Sequence, residues 1–155
     1  RDYLHPWLPW AQSENRSVTA CAQTVERFRA RDWHEPPEEI VLAMTDRTSG
    51  RIIGGTGLHT FSPSTAQAEI GYWITRDRSG NGLVTEAVVA LADAALRLEI
   101  RTAGRNVPSQ GVARRAGFAH EATLRAHRWI DGLGWDDTLV FGLLADQSSY
   151  DSLAH

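Results

Sequence analysis

Helical and strand periodicities alternate along this chain and predict a mixed α/β fold. Behind a capping Ser17, four apolar residues recur at helical spacing over 17–32: Val18, Cys21, Val25 and Phe28. Residues 39–45 and 51–59 are apolar runs on either side of a turn-rich segment, which predicts a β-hairpin. A third strand is predicted over 68–75.

The second half of the chain continues the alternation. A glycine-bearing loop over 77–82 leads into a helix predicted over 83–96, whose apolar face comprises Leu83, Val84, Ala87, Val88, Leu91 and Ala95. The remaining predicted elements are a strand over 98–102, a helix over 109–116, and strands over 122–130 and 138–144. The helix ending near residue 96 leaves almost no connection to the next strand, where two to six residues are usual. Either this helix is shorter or residues are missing there, and we favour missing residues.

Composition narrows the class of protein. The 155 residues, 42% hydrophobic and 23% charged, fit one globular domain. No apolar run approaches the ~18 residues of a membrane span, and a net charge of −3 argues against a general nucleic-acid binder. The single Cys21 excludes an internal disulfide and favours a reducing compartment, so we expect a cytoplasmic protein. All 16 basic residues are arginine, which excludes a Schiff-base or Walker lysine from this chain.

The loop between the third predicted strand and the following helix carries the strongest local signal. Gly80 and Gly82 allow a tight turn whose backbone N–H groups point inward, and the next helix adds its own unpaired N–H groups. These features predict an anion site suited to a pyrophosphate, although such a glycine pair is often only a turn. The Walker and dinucleotide-binding patterns both fail, for lack of a lysine and of a third glycine.

Three motifs in order resemble the RimJ/RimL-like branch of the GNAT N-acetyltransferases. They are the strand Glu69–Ile74, the loop and helix start Arg78–Ala87, and the run Asn106–Phe118, which is similar to the family's Asn-x-x-Ser helix ending in Gly-Phe. The opening Pro6–Trp10 resembles the family's substrate-side loop, so the resemblance covers nearly the whole chain. One departure is Asp77, because the superfamily loop usually begins there with Gln or Arg.

The resemblance implies a fold, a reaction and partners. The expected fold is a single GNAT domain over 1–155, with a mixed, mostly antiparallel sheet and helices on both faces; the family's first strand and helix are expected before Arg1. The implied activity is acetyl transfer from acetyl-CoA to a primary amine, most plausibly a protein N-terminal α-amino group. An antibiotic or polyamine acceptor, and a non-catalytic CoA-binding module, remain as alternatives. No nucleic-acid or membrane partner is expected, and a homodimer stays open.

The same resemblance assigns the binding residues. The predicted acetyl-CoA residues are Gly71, Tyr72, Trp73, Arg78, Ser79, Gly80, Asn81, Gly82, Leu83, Asn106 and Ser109. Asn106 either binds the pantetheine arm or braces its loop. Trp7 and Trp10 are predicted to border the acceptor, although tryptophans such as these, Trp129 and Trp135 are more often core residues.

Two residues are predicted to be catalytic. Glu69 is the candidate base, acting through water, or else forms a structural hydrogen bond or ion pair. Ser109 is the candidate proton donor to the CoA sulfur, or else caps its helix. The tyrosine that many GNAT enzymes use as acid is absent from 110–118, which favours the serine. The six histidines show no metal-ligand spacing, so we predict surface histidines and no metal.

Overall fold

The fold is described by a computed structural model, which defines residues 3–8, 17–30, 39–62, 64–92, 95 and 97–145. All the predicted helices and strands are present in the predicted order. They are α1 (Val18–Ala30), β1 (Ile40–Thr45), β2 (Ile52–Ser62), β3 (Gln67–Ile74), a 3-10 turn (Arg76–Arg78), α2 (Leu83–Ala90), β4 (Arg97–Ala103), α3 (Val107–Arg115), β5 (Ala119–Ile130) and β6 (Gly134–Leu144).

The described strands form one six-stranded sheet in the order β1-β2-β3-β4-β6-β5. The β3–β4 pair is parallel, and the other four neighbouring pairs are antiparallel. The parallel pair requires a crossover connection, and α2 lies in it. This arrangement confirms the predicted mixed, mostly antiparallel sheet.

The sheet opens between its two parallel strands. β3 pairs with β4 only over Gln67–Glu69, whose partners are Arg97–Glu99. Beyond these three pairs, β3 stays paired with β2 as far as Ile74, and β4 stays paired with β6 as far as Ala103. The two strands therefore diverge, and we call the gap between them the split.

One face of the sheet carries the apolar core. Register pairs such as Leu58 with Ile70 and Ala68 with Leu98 lie on this face, where α2 and α3 add their own apolar residues. The buried cluster consists of Leu58, Ala68, Ile70, Ile74, Val84, Val88, Leu98, Ile100, Val112, Ala113, Phe118 and Phe141. Burying these side chains supplies the main driving force for folding, and it attaches both helices to the strands that form the split.

The other face of the sheet is lined by ionisable groups. His59, Glu69 and Glu99 lie in one row across β2, β3 and β4, and the row continues through Gly142 on β6 to Ala119 on β5. The Glu121 side chain lies over Gly142, which has no Cβ to block it, and forms an ion pair with Arg97. We call this surface the charged face.

The helix predicted over 83–96 is too long. It ends at Ala90, where the N–H of Leu91 binds the carbonyl oxygen of Val88 and tightens the last turn. Residues 91–96 then lead to β4, which is a connection of ordinary length. The structure thus shows the shorter helix, the alternative that we did not favour. Leu91 and Ala95 still pack against the core, as the apolar pattern predicted.

Two groups of apolar residues are more exposed than predicted. In α1, Val18, Val25 and Phe28 are exposed, so the predicted apolar stripe is not a buried face. Trp129 and Trp135, expected in the core, are 58% and 61% exposed and pack edge-to-face at 5.7 Å between ring centroids. They face each other near the turn of the β5–β6 hairpin, outside the buried cluster. Among the described ranges, no helix has the length and apolar character to span a membrane.

Candidate active site

The loop before α2 has the backbone that its glycines predicted. Gly80 and Gly82 have φ of 80° and 76°, in the left-handed region where residues with a Cβ are strained. A Cβ built on either glycine would meet nothing within 4 Å. These two glycines are therefore required by backbone conformation and leave open space above the loop.

The N-terminus of α2 faces the same loop. Gly82 is the N-cap residue, and no side chain caps this end of the helix. The first intrahelical bond runs from the N–H of Glu86 to the carbonyl oxygen of Gly82, at 3.0 Å. The preceding N–H groups, from Leu83 to Thr85, have no intrahelical acceptor and can bind an anion.

Side chains of the loop brace its shape. Asn81 Nδ2 donates to the carbonyl oxygens of Arg78 and Ser79, at 3.1 and 3.2 Å. Arg78 Nη2 lies 3.0 Å from Asp46 Oδ2 in the β1–β2 turn. The pKa of Asp46 is lowered, first by the Ser49 backbone N–H and hydroxyl and further by the Arg78 charge. Asn81 and Arg78, both predicted to bind the cofactor, thus hold the loop in position.

The helix side of the split carries a pair of hydroxyl groups. Tyr72 on β3 places its hydroxyl 2.9 Å from Ser109 Oγ and 3.1 Å from the Ser109 carbonyl oxygen on α3. Burial raises the pKa of Tyr72, although the Ser109 hydrogen bond and the Arg115 charge oppose that rise. Tyr72 therefore remains a hydrogen-bond donor over the ordinary working range of pH. The structure brings these two predicted site residues into direct contact.

Asn106, not Ser109, caps α3. Asn106 Oδ1 accepts a hydrogen bond from the Ser109 backbone N–H at 3.3 Å. The predicted alternative for Ser109, a helix cap, is therefore wrong, because the helix begins two residues earlier at Val107. Of the two alternatives for Asn106, the structure shows the brace.

The loop before α3 is held by the neighbouring strands. The Arg105 backbone N–H donates to Asp136 Oδ2 at 3.1 Å, and Arg105 Nη1 donates to the Leu133 carbonyl oxygen at 2.6 Å. Gln110 Nε2 donates to the Gly104 carbonyl oxygen at 2.7 Å. These bonds fix the start of α3, and with it the Ser109 hydroxyl, relative to β6.

Glu69 lies on the charged face at the last residue pair before the split. Its Oε2 is 3.9 Å from Arg101 Nε, whereas Glu99 Oε1 holds the same nitrogen at 2.5 Å. Burial raises the pKa of Glu69; the Arg101 charge works against this rise, and the Glu99 charge adds to it. The predicted base, Glu69, is thus a half-buried carboxylate, and the arginine beside it, Arg101, is bound more closely by Glu99.

His59 lies beside Glu69, a placement that the sequence did not reveal. It lies opposite Glu69 in the β2–β3 register, and its Nδ1 is 2.5 Å from Glu39 Oε1. A Cβ on Gly71 would come within 2.8 Å of His59 Nε2, so the imidazole lies over this glycine. We had expected surface histidines. The sequence carries one signal for this placement. The second strand contains His59, and its partner strand has Gly71 two residues after Glu69.

The tryptophans predicted at the site have different outcomes. Trp73 lies across β2, where its Nε1 would be 2.5 Å from a Cβ on Gly55. Trp7 is half-buried in the turn formed by residues 3–7. In the same turn, the centroid of the Tyr3 ring lies 5.6 Å from the guanidinium carbon of Arg76, beside the cofactor loop. Trp10 lies outside the described residues.

The arrangement brings unlike groups to the two sides of one split. Neutral hydroxyls lie on the helix side, and an ionisable carboxylate and imidazole lie on the charged face. Such a site can donate hydrogen bonds to a developing anion while removing protons from a nucleophile. In the described part of the chain, no three histidine, cysteine, aspartate or glutamate residues are grouped to hold a metal ion.

Comparison with known proteins identifies the family of this chain. A family model described as the acetyltransferase (GNAT) domain matches residues 2–119. The protein named probable N-acetyltransferase YjcK, from Bacillus subtilis (strain 168), is 32% identical over 151 residues, covering 93% of this chain and 82% of the relative. The ribosomal-protein-serine acetyltransferase of Escherichia coli (strain K12) is 28% identical over 101 residues, covering 61% of this chain and 56% of the relative.

Solved structures support the fold. Mycobacterium smegmatis RimJ, solved in complex with CoA-disulfide, superposes with a TM-score of 0.80 at 23% identity, covering 99% of this chain and 78% of that one. The family model spans well over half of the chain, and the resemblance to RimJ- and RimL-like proteins is confirmed. The protein therefore belongs to the GNAT acetyltransferase family.

Proposed function

We propose that this acetyltransferase moves the acetyl group of acetyl-CoA to the α-amino group of a protein N-terminus, with both substrates bound together. The split carries this proposal, because Ser109 and Glu69 approach it from opposite faces of β3 and β4. The relative named for a ribosomal-protein serine supports a protein acceptor. In keeping with that acceptor, we propose that the protein acts in the cytoplasm.

The cofactor loop supports acetyl-CoA as the donor. The open space above Gly80 and Gly82 and the unpaired N–H groups at the start of α2 suit a pyrophosphate. These groups are backbone groups, so the departure at Asp77 leaves them unchanged; the Asp77 side chain is largely exposed. Ser79 and Leu83 would flank the pyrophosphate. Gly71 and Trp73 would lie along the pantetheine arm, and their strand would offer N–H groups to the thioester oxygen.

The roles proposed for Glu69 and Ser109 follow from the charges that change during the reaction. Glu69 would take a proton from the incoming amine, directly or through a water molecule. An N-terminal amine, with a pKa near ~8, needs less help from a base than a lysine at about 10.4. Ser109, held by Tyr72, would donate a hydrogen bond to the sulfur as it gains negative charge. Tyr72, on β3, would be a second hydroxyl donor beside Ser109 Oγ, although α3 carries no tyrosine.

The segment before α1 and the loops would determine the acceptor. Trp7 and Trp10 would border the acceptor channel, since Trp7 belongs to the segment beside the cofactor loop. Acceptor specificity lies mostly in loops, which vary among relatives more than the sheet does. A small amine therefore remains the second candidate for the acceptor.

Thiol release measures the reaction directly. The protein would be incubated with acetyl-CoA and a panel of N-terminal peptides, polyamines and aminoglycosides, and free CoA thiol followed over time. We expect the fastest release with peptides, and mass spectrometry should place the acetyl group on their first residue. Faster release with a small amine would show that the acceptor is a small amine and not a protein N-terminus. Thermal stabilisation by acetyl-CoA without release for any amine would indicate a CoA-binding module instead.

A further inference from the structure

In the proposed reaction, an amine that arrives as an ammonium gives up two protons. It must lose one proton before its nitrogen can attack. It must lose a second proton as the N–C bond forms and the C–S bond breaks, because the product nitrogen is a neutral amide. The proposed function assigns one acceptor on this chain, Glu69.

We propose that His59, held by Glu39, is a further catalytic residue that accepts the second of these protons. This inference rests on the proposed function, since it concerns the same split and the same amine. It assigns a role to a pair of residues that the family resemblance did not include.

The Glu39 contact determines which nitrogen of His59 can act. A carboxylate can only accept a hydrogen bond, so the 2.5 Å contact with Oε1 requires the hydrogen on Nδ1. In the neutral imidazole with this tautomer, Nε2 carries the lone pair and can take a proton. The Glu39 charge also stabilises the imidazolium that forms when it does so, as a carboxylate does for the histidine of a serine-protease triad.

The position of Nε2 places that lone pair at the split. His59 is paired with Glu69, the last β3 residue that also pairs with β4. Its Nε2 lies over Gly71, two residues further along β3 and already beyond the last β3–β4 pair. A side chain at Gly71 would collide with the imidazole, so the glycine is what allows this placement. Glu69 and His59 therefore approach one nucleophile from the same face.

The protons and bonds balance without another reactant. The nitrogen forms its bond to the acetyl carbon, the carbon–sulfur bond breaks, and the electron pair of that bond leaves on the CoA sulfur. The sulfur leaves as a thiolate, stabilised by the Ser109 hydroxyl, and takes a proton from solvent. The proton that the nitrogen loses as the amide forms passes to His59 Nε2 and is released to water when the product leaves.

Other charges surround the pair and bear on any dependence on pH. Glu69 faces His59 from β3; Glu99 and Arg101 lie beyond it on β4, and the Arg128 charge reaches Glu69 from β5. Arg101, the cation with the largest effect on Glu69, is bound more closely to Glu99, at 2.5 Å against 3.9 Å from Glu69.

The experiment compares His59→Gln and Glu39→Gln with the wild-type protein and with His120→Gln, an exposed histidine on β5, as the matched control. Turnover is measured with two peptide acceptors, one with an ordinary α-amine and one with a weakly basic amine. We expect His59→Gln to lower turnover about 10²-fold with both acceptors, because the second proton must be lost whatever the starting state. We expect Glu39→Gln to lower it about tenfold, and His120→Gln to leave it unchanged.

Stability and cofactor binding separate catalysis from structure. Both variants should keep the thermal stabilisation given by acetyl-CoA, and the deficit should lie in kcat rather than in the KM for acetyl-CoA. If His59→Gln does not fold, Glu39→Gln supplies the same test. Wild-type turnover in the folded variants, or a deficit that vanishes with the weakly basic amine, would overturn the inference alone. Absence of transfer by the wild-type protein would overturn the proposed function, and the inference with it.

Discussion

The two sides of the split use different chemistry. On the helix side, Tyr72 and Ser109 are neutral hydroxyls, held by a capped helix and by a strand that packs in the core. On the charged face, Glu69 and His59 are titratable groups among several arginine and glutamate side chains. The first side depends on fixed geometry, and the second depends on protonation state.

This difference predicts different responses to conditions. Hydroxyl donors keep their function over a wide range of pH, since burial raises the pKa of Tyr72 further above neutrality. The charged face should respond to pH and salt, because charges that are partly exposed are screened and titrate. Substitutions on the two sides should therefore separate geometric losses from protonation losses.

The largest effect is expected at Glu69. Glu69→Gln keeps the shape but removes the proton acceptor, so turnover should fall about 10²-fold or more at neutral pH. Because burial raises the Glu69 pKa, the wild-type acid limb attributable to this residue should lie above the ordinary glutamate range. The deficit should shrink as pH rises and more amine is neutral. Glu121→Gln, on the same face but bound to Arg97, is the control. If Glu69→Gln had wild-type turnover at every pH, Glu69 would have a structural role and would not be the base.

The same substitution, Glu69→Gln, should also raise the stability of the fold at neutral pH. A raised carboxyl pKa means that the folded state disfavours the charged form. The stability associated with Glu69 is fully present below its unfolded pKa and is lost as pH rises through its folded pKa. Glu69→Gln should therefore be more stable than wild type at neutral pH, and this advantage should disappear in acid. Thermal unfolding at several pH values measures the difference.

The next largest effect concerns the cofactor loop. Gly82→Val should block close approach of the pyrophosphate, so acetyl-CoA should lose most of its thermal stabilisation, which is about 2.7 kcal/mol when the ligand is at about 100 times Kd. Gly132→Val is a matched control, because Gly132 has nearly the same φ, 77°, and equally open space in the β5–β6 turn. Both variants should lose similar intrinsic stability. Equal stabilisation by acetyl-CoA in the two variants would reject the loop as the pyrophosphate site.

A smaller effect is expected on the helix side. Ser109→Ala should lower turnover about tenfold while acetyl-CoA binding changes little, because a hydrogen bond to a charged sulfur contributes about 1.5 kcal/mol or more. Tyr72→Phe should cost less. If Tyr72 acts by holding the Ser109 hydroxyl, the double variant should be no worse than Ser109→Ala alone. Additive losses would show that the two residues act separately.

The smallest effect on turnover is expected at the cap of α3. Asn106→Ala removes the acceptor of the Ser109 N–H and should cost about 1 kcal/mol of stability. Turnover of the folded fraction should change only slightly, because Asp136 on β6 also holds this loop through Arg105, and Gln110 on α3 bonds to its Gly104 carbonyl oxygen. Ser109→Ala should show the opposite pattern of small stability loss and larger turnover loss. Chemical denaturation and turnover of both variants, measured together, test this pattern.

Local signals predicted the helix side better than the charged face. The glycine loop, the helix that follows it and the Asn-x-x-Ser start of α3 each lie within a few residues, so their backbone geometry follows from local sequence. The His59–Glu39 contact joins residues 20 apart, and the row from His59 to Glu99 depends on the register of three strands. Apolar periodicity does not specify that register. Even on the helix side, the cap offered as the alternative for Ser109 belongs to Asn106, because both residue types are good caps.

The split also has a consequence for how the molecule opens. Among the described residues, strand pairing joins the half-sheet of β1, β2 and β3 to the half-sheet of β4, β6 and β5 only through the three residue pairs at Gln67–Glu69. Alternate N–H groups of β3 beyond Glu69 face the gap and have no strand partner there. We expect these amides to exchange with deuterated solvent quickly in the free protein, and those facing β2 to exchange slowly. Acetyl-CoA, bound across the gap, would act as a seventh strand and couple the two halves into one cooperative unit.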